Sequence, residues 1–201
     1  MELKEYFKIL KENFKLFVFV IALIMVGAFA FFSLKPITYL TSLGLNITRS
    51  GAQQTPDYKY DDFYRLQADE KFAETVVQWL QNPRIVADIY GAAGLDASQF
   101  TIRQLSKSFG SEKLSSQVVA VNFTARSVDS AKKISNAISD IISKNTENLN
   151  KNQNESTWFE VVSQDPIIVR DNVSLLVLFF ASLALGIFLG FWAVMLKHYL
   201  K

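Results

Sequence analysis

Two long uncharged stretches constrain this chain more than any other feature of its sequence. No charged residue occurs between Lys15 and Lys35, and none occurs between Asp171 and Lys197. A helix needs about 20 apolar residues to cross the hydrocarbon core of a bilayer, and both stretches have that length. Because a polar segment of ordinary composition lies between them, we expect two transmembrane helices and not two buried helices of a soluble core.

The residues that flank the two stretches predict which ends stay in the cytoplasm. Lysines precede the first stretch, and Lys197, His198 and Lys201 follow the second. Positive residues near the ends of membrane helices are retained on the cytoplasmic side, so both termini are expected there. A cleaved signal peptide is the alternative for the first stretch, since residues 28–30 resemble a cleavage site. The apolar run continues past that site to Leu34, which favours an uncleaved anchor.

The chain therefore divides into five predicted segments. They are a cytoplasmic amphipathic segment (1–15), a first transmembrane helix (16–34), an extracytoplasmic α+β domain (35–172), a second transmembrane helix (173–196) and a cytoplasmic tail (197–201). We expect the domain to contain a small mixed sheet with packed helices. The first segment predicts a helix lying in the lipid interface. Its apolar face comprises Leu3, Tyr6, Phe7, Leu10 and Phe14.

Hydrophobic periodicity predicts the elements of the middle domain. In chain order we expect a strand at 39–48, helices at 63–80 and 83–91, a strand at 117–125, a helix at 128–149 and a strand at 158–162. Residues 101–115 are ambiguous and strand-like around 104–109. These assignments rest on period-two alternation for strands and on a period of 3.6 residues for helices. Because two membrane spans carry one compact domain, we expect its first and last strands to be neighbours.

Composition excludes several classes of function. The 21 basic and 19 acidic residues nearly balance, which argues against a nucleic-acid surface. The absence of cysteine excludes disulfides, thiolate metal sites and a cysteine nucleophile. The single histidine, His198, lies beside the second apolar stretch, away from any pocket in which a Ser-His-Asp triad could form. We expect no enzyme activity, no cofactor and no metal site.

Several segments together carry a resemblance to a known family. They are the basic N-terminal segment and first span, the strand at 39–48, the helix at 63–80, the strand at 118–124 and residues 127–136, Ser-Val-Asp-Ser-Ala-Lys-Lys-Ile-Ser-Asn. This arrangement resembles the Wzz-type chain-length determinants, also called polysaccharide co-polymerases, including the shorter CpsC-like capsule proteins of Gram-positive bacteria. In the likeness, Asp129 and Ala131 open the long helix. The resemblance extends over nearly the whole chain but is diffuse.

The resemblance implies a function without catalysis. The chain is expected to be an oligomeric scaffold in the bacterial cytoplasmic (inner) membrane that regulates the chain length or export of a cell-surface polysaccharide. Its partners would be further copies of itself, membrane lipid, an integral-membrane polysaccharide polymerase and the polysaccharide. No phosphate-binding glycine loop follows the second span, so a fused kinase is not expected. The alternatives are an adaptor that activates a separate cytoplasmic tyrosine kinase and a structural anchor of another envelope complex.

Glycines in the two apolar stretches are candidates for helix packing or oligomer contacts. Gly186 and Gly190 are four residues apart, a small-xxx-small spacing that lets membrane helices approach closely. Gly27 lies in the first stretch. Whether it faces the pair, within one chain or between subunits, is left open by the sequence.

Charged and aromatic residues give candidate contacts to an anionic glycan or a lipid-linked phosphate. The charged candidates are Arg49, Lys59, Arg65 and Arg103, with Lys107 and Lys113. Scattered surface charge is the favoured alternative. The aromatic candidates for stacking on sugars are Tyr58, Tyr60, Phe63, Tyr64 and Trp79, for which core or interface positions are favoured. Among Asp69, Glu70 and Glu74, two carboxylates could act as a pair in acid/base catalysis. A solvated helix face is the favoured interpretation, because Lys71 lies beside them.

Overall fold

The computed structural model describes residues 3–50, 61–151 and 158–200. In chain order the elements are α1 (Leu3–Glu12), α2 (Phe14–Leu34), β1 (Tyr39–Ser50), α3 (Asp61–Gln81), α4 (Pro83–Ala92), a 3-10 helix (Ala97–Gln99), α5 (Ile102–Leu105), β2 (Gly110–Ser115), β3 (Val118–Ala125), α6 (Val128–Asn150), β4 (Trp158–Ser163), β5 (Ile167–Arg170) and α7 (Leu175–Tyr199). They form two compact units. The helical unit comprises Met1–Pro36 and Asn172–Lys201, and the α+β unit is Ile37–Asp171.

The helical unit is built on two long apolar helices, α2 and α7. α2 has 21 residues and α7 has 25, so each is at least about 31 Å long at 1.5 Å per residue. Both are long and apolar enough to cross a membrane. None of the residues of α2 is buried within the protein, unlike the residues of a soluble core helix. The structure is therefore consistent with a two-pass membrane protein.

A short helix precedes α2 and packs on the end of α7. α1 and α2 are separated at Asn13, whose side-chain amide donates to the backbone oxygen of Ile9 at 3.1 Å. Ile9 is buried against Val194 and Met195, while Tyr6 and Leu10 pack around this cluster. The other two described residues of the predicted amphipathic face, Phe7 and Phe14, are exposed. Some apolar residues of α1 therefore pack on α7, and others are exposed. Ile9, which is buried, was not part of the predicted face.

The sheet of the α+β unit has the strand order β2-β3-β1-β4, and β5 also pairs with β1. Every neighbouring pair is antiparallel, so the expectation of a mixed sheet is wrong. The helical connections from β1 to β2 and from β3 to β4 do join strands of the same direction. In each case another strand lies between the two, which makes all hydrogen-bonded neighbours antiparallel. This is the split β-α-β-β-α-β arrangement of ferredoxin-like domains.

The first and last strands of the α+β unit are neighbours, as predicted. β1 pairs with β4 along residues 45–50 and with β5 along residues 39–42. The backbone N–H of Asp171 donates to the backbone oxygen of Thr38 at 2.9 Å, and the Thr38 hydroxyl donates to the Asp171 carboxylate at 3.2 Å. The two ends of the unit are thus tied together. β5 was not predicted, because four residues are too few to display a clear period.

The core lies on one face of this sheet, under α3, α4 and α6. Along β1 the residues that point to the helices are buried, and they are Thr41, Leu43, Leu45 and Ile47. Of the residues that point away from the helices, Ser42 and Thr48 are exposed and Gly44 and Asn46 are half-buried. Ile138 and Ile142 of α6 complete the core with residues of α3, α4 and β3. The unit therefore has two layers, helices on one side and an open sheet face on the other.

The segment 104–109 is not a strand. Thr101 and Gln104 form a capping box, in which each side chain bonds the backbone N–H of the other residue, and α5 follows. Lys107 and Ser108 continue this turn through backbone bonds to Gln104 and Leu105. The strand of this region begins only at Gly110. A local cap thus prevails over the weak alternation of the sequence.

Candidate functional site

A cavity of about 790 Å³ opens in the α+β unit between two connections of the chain. One wall is the segment that joins α4 to β2, with Phe100, Arg103 and Lys107. The opposite wall is the junction of β3 and α6, with Arg126 and Ile134. The volume falls within the range of about 300 to 1,000 Å³ in which proteins bind small organic ligands.

A series of local caps shapes the first wall. α4 is followed by Gly94, whose φ of +74° is a left-handed conformation that favours glycine. The Asp96 carboxylate accepts the backbone N–H of Ser98 at 2.8 Å and thereby starts the 3-10 helix. Thr101 caps α5 in the same way by accepting the backbone N–H of Gln104 at 3.3 Å. Three short-range bonding patterns therefore hold a wall that has no long helix or strand of its own.

The cavity has an aromatic surface. The rings of Tyr90 and Phe100 are stacked, with centroids 5.3 Å apart and planes inclined by 16°. Tyr90 also contacts the buried ring of Phe109 at 5.7 Å, which anchors the pair to the core. Phe100 is 41% exposed, so part of an apolar ring remains accessible from solvent.

The cavity carries an excess of positive charge. Arg103, Lys107 and Arg126 line it and are exposed, and none of them forms an ion pair within the described part of the chain. Asp96 is the only carboxylate among the lining residues. Hydrogen bonds from the hydroxyl and the backbone N–H of Ser98 lower the pKa of Asp96 below its ordinary value of 3.8. Its charge is thus retained at neutral pH, and three cations face one anion.

Among the predicted charged candidates that the structure describes, only Arg103 and Lys107 line this cavity. Arg49 is 11% exposed, and its Nε donates to Asp69 Oδ1 at 2.7 Å, so the expectation of an exposed charge is wrong for Arg49. Its guanidinium also covers the ring of Phe159, 4.7 Å from the centroid. Arg65 lies on α3 and does not line the cavity. Lys59 lies outside the described residues.

The predicted solvated face of α3 is only partly solvated. Asp69 is 4% exposed, so this expectation is wrong for Asp69. Glu70 and Glu74 lie nearer the surface and both accept hydrogen bonds from Lys113 Nζ, at 2.6 and 3.1 Å. Lys113 therefore joins β2 to α3 and is not a scattered surface charge. Asp69, Glu70 and Glu74 are thus engaged in ion pairs that hold α3 on the sheet.

The glycines of α7 lie in the contact between the two long helices. A Cβ on Gly186 would be 3.2 Å from the Cα of Ile21, and one on Gly190 would be 3.0 Å from the ring of Phe17. These pairings run in opposite directions along the two helices, so α2 and α7 are antiparallel. Gly27 differs, since a Cβ there would meet nothing within 4 Å. Gly27 therefore does not face the pair within this chain.

The three predicted aromatic candidates within the described residues, Phe63, Tyr64 and Trp79, do not form a common surface. Trp79 packs against the core beside Phe72, with centroids 5.9 Å apart. Phe63 and Tyr64 are exposed and contact each other at 5.9 Å. Tyr58 and Tyr60 lie outside the described residues. Tyr90, Phe100 and Arg126 were not predicted from the sequence, in which only the nearby spacing of Arg103 and Lys107 indicates a site.

The comparisons with known proteins identify no relative of this chain. No family model matches the chain, and no curated protein or solved structure matches it significantly. Across residues 3–50, 61–151 and 158–200, no three histidine, aspartate or glutamate side chains are grouped so that they could hold a metal ion. The cavity with its cations and aromatic rings is the candidate site.

Proposed function

We propose that this chain is a non-enzymatic, oligomeric scaffold of the bacterial cytoplasmic membrane. It regulates the chain length or the export of a cell-surface polysaccharide. Several copies assemble beside an integral-membrane polymerase, and their α+β units contact the growing chain or the polymerase outside the cytoplasm.

The observation that supports this function best is the way in which the α+β unit is inserted between two apolar helices. β1 follows α2, β5 precedes α7, and both strands pair in one sheet. The bonds between Thr38 and Asp171 close the unit at the residues where it joins those helices. A domain with adjacent ends suits insertion between two membrane spans, which is the architecture implied by the resemblance to chain-length determinants.

The placement of the α+β unit outside the cytoplasm rests on charge. Lysines lie at the start of α2 and at the end of α7. Lys8 and Lys11 precede α2, Lys15 is its second residue, and Lys197 is in the last turn of α7. Such residues are retained in the cytoplasm. Reporter fusions test this part. We expect a reporter that is active only outside the cytoplasm to give a signal within the 37–171 unit and none at either terminus, and the reverse pattern would refute the orientation.

The function is tested by the size profile of the surface polysaccharide. The host is compared on gels with the gene intact, deleted and restored, with an empty vector as the control for restoration. We expect deletion to abolish the preferred chain length while polymer is still made, or to reduce export, and restoration to reverse the effect. An unchanged profile would refute the proposal and favour an anchor of another envelope complex.

A further inference from the structure

We propose that the cavity between the α4–β2 connection and the β3–α6 junction binds an acidic segment of glycan, with sugar rings that carry carboxylate or phosphate groups. The choice of a glycan among anionic ligands rests on the proposed function. The choice of an anion rests on the side chains alone. Arg49 was an equal candidate from the sequence, but its ion pair with Asp69 leaves it no such role.

The cations of the cavity are available to a ligand. Arg103 and Lys107 are separated by four residues on one continuous turn, and Arg126 approaches from the other wall. By contrast, Arg49 and Lys113 form ion pairs with carboxylates of α3. Arginine presents a planar fork that bonds carboxylate and phosphate oxygens in pairs. Two arginines on opposite walls therefore suit an anion held between them.

The apolar part of the cavity suits the body of a sugar. Pyranose rings have faces of C–H groups that pack on aromatic rings, and the exposed part of the Phe100 ring is fixed by stacking on Tyr90. Ile134 and Leu95 add aliphatic surface. An anion site without this surface would suit a free phosphate, but a volume of about 790 Å³ is much larger than a single phosphate requires. The combination of cations and apolar surface favours an oligosaccharide whose sugar rings carry negative charges.

Binding is measured by calorimetry with the full chain in nanodiscs of neutral phosphatidylcholine. The titrants are trigalacturonate as the acidic probe, maltotriose as its neutral counterpart and inorganic phosphate. The site variant carries Arg103→Gln, Lys107→Gln and Arg126→Gln. The control variant carries Arg84→Gln, Lys132→Gln and Lys144→Gln, which remove three exposed cations that do not line the cavity. A separate variant, Phe100→Leu, removes the aromatic face and keeps all charges.

We expect trigalacturonate to bind, and the site variant to weaken its affinity about tenfold, since exposed charge pairs contribute about 0.2–1 kcal/mol each. The control variant keeps the affinity, Phe100→Leu lowers it, and added salt weakens it. Equal binding of maltotriose, equal losses in both triple variants, or equal binding of phosphate would overturn the proposal. Equal binding of glycerol 1-phosphate, a soluble lipid headgroup, would also overturn it, by assigning the cavity to a lipid phosphate.

Failure of this inference can be distinguished from failure of the proposed function. If deletion of the gene alters the polysaccharide profile while trigalacturonate does not bind, only the cavity assignment is wrong. If the probe binds as expected while the profile is unchanged, the cavity assignment stands and the chain-length function is wrong. Thermal unfolding of the site variant confirms that its folding is intact, as expected for exposed residues without ion-pair partners.

Discussion

The guanidinium of Arg49 lies 2.7 Å from the carboxylate of Asp69, and this pair joins β1 to α3 inside the α+β unit. The other oxygen of Asp69 accepts from the side-chain amide of Gln117 at 3.0 Å, and Arg49 also donates to the backbone oxygen of Arg65. Asp69 thus has partners from two parts of the chain, and both hydrogen-bond partners of Arg49 lie on α3. A buried ion pair replaces the water that its groups lose on folding only when their hydrogen bonds are made, as they are here. Loss of one partner leaves the other charge buried alone.

We therefore expect Asp69→Ala to lower the free energy of unfolding by about 3 kcal/mol, the scale found when one partner of a buried pair is removed. Urea denaturation of the full chain in detergent, followed by circular dichroism, measures the change. Asp88→Ala is the control, because Asp88 forms an exposed pair with Arg84 and should lose less than about 1 kcal/mol. Equal losses in the two variants would contradict the assigned role of Asp69.

Lys113 makes the contact between α3 and β2 dependent on pH. Hydrogen bonds from Lys71 and Lys113 lower the pKa of Glu74 below its ordinary value of 4.5. Hydrogen bonds to Glu70 and Glu74 raise the pKa of Lys113 above 10.5. The stability due to Glu74 is present above pH 4.5 and is lost as the pH falls through its folded pKa. The stability due to Lys113 is present below pH 10.5 and is lost as the pH rises through its folded pKa.

We expect Lys113→Met to lower the melting temperature near pH 7, and the difference from the wild type to shrink toward both extremes of pH. Melting curves of the two proteins over a pH series check this. Lys132→Met is the control, since Lys132 is exposed and forms no ion pair in the described part of the chain. A difference that is constant from acid to alkali would show that Lys113 acts through packing and not through its charge.

Gly186 allows α2 and α7 to pack closely, and a larger residue there should separate them. We expect Gly186→Leu to destabilise the helix pair by about 1–3 kcal/mol, as overpacking does, because the added atoms would meet the backbone of Ile21. Gly27→Leu is the matched control, since Gly27 has open space. Thermal unfolding and particle size in detergent are measured together. A change in oligomer size without loss of stability would place the Gly186 contact between subunits.

Ser127 fixes the start of α6 beside Arg126. Its hydroxyl oxygen accepts the backbone N–H of Ser130 at 3.1 Å. We expect Ser127→Ala to lower the free energy of unfolding by about 1 kcal/mol, the usual effect of losing an N-cap. Ser127→Asp keeps an acceptor at this position and should retain most of the stability. If both variants are equally unstable in urea denaturation, the cap is not the reason.

Much of the secondary structure could be predicted because it depends on neighbours in the chain. The helix expected at 63–80 is observed at Asp61–Gln81, and the one expected at 128–149 is observed at Val128–Asn150. Their apolar residues recur with helical spacing, so a single face meets the core. Short elements were missed. α5 and β5 have four residues each, too few to display a clear period. A local capping box sets α5, and pairing with the distant strand β1 sets β5.

The candidate site was only partly predictable. Arg103 and Lys107 were among the expected charged residues, whereas Tyr90, Phe100 and Arg126 were not. The sequence could not predict that Arg103 and Arg49 have different environments. Arg103 is exposed at a cavity, whereas Arg49 is enclosed in an ion pair. That difference depends on which acidic side chain the fold brings near each arginine.

The two apolar helices, the charges at their flanks and the long helices of the α+β unit could all be predicted from residue order alone. Those features follow from hydrophobicity and period, which are local properties. Three features instead depend on long-range packing: the antiparallel pairing of the described strands, the burial of Asp69, and the placement of Arg126 and Arg103 in the lining of one cavity. These relationships join residues far apart in the chain, and their energies arise only when the packed fold removes water and brings the partners together.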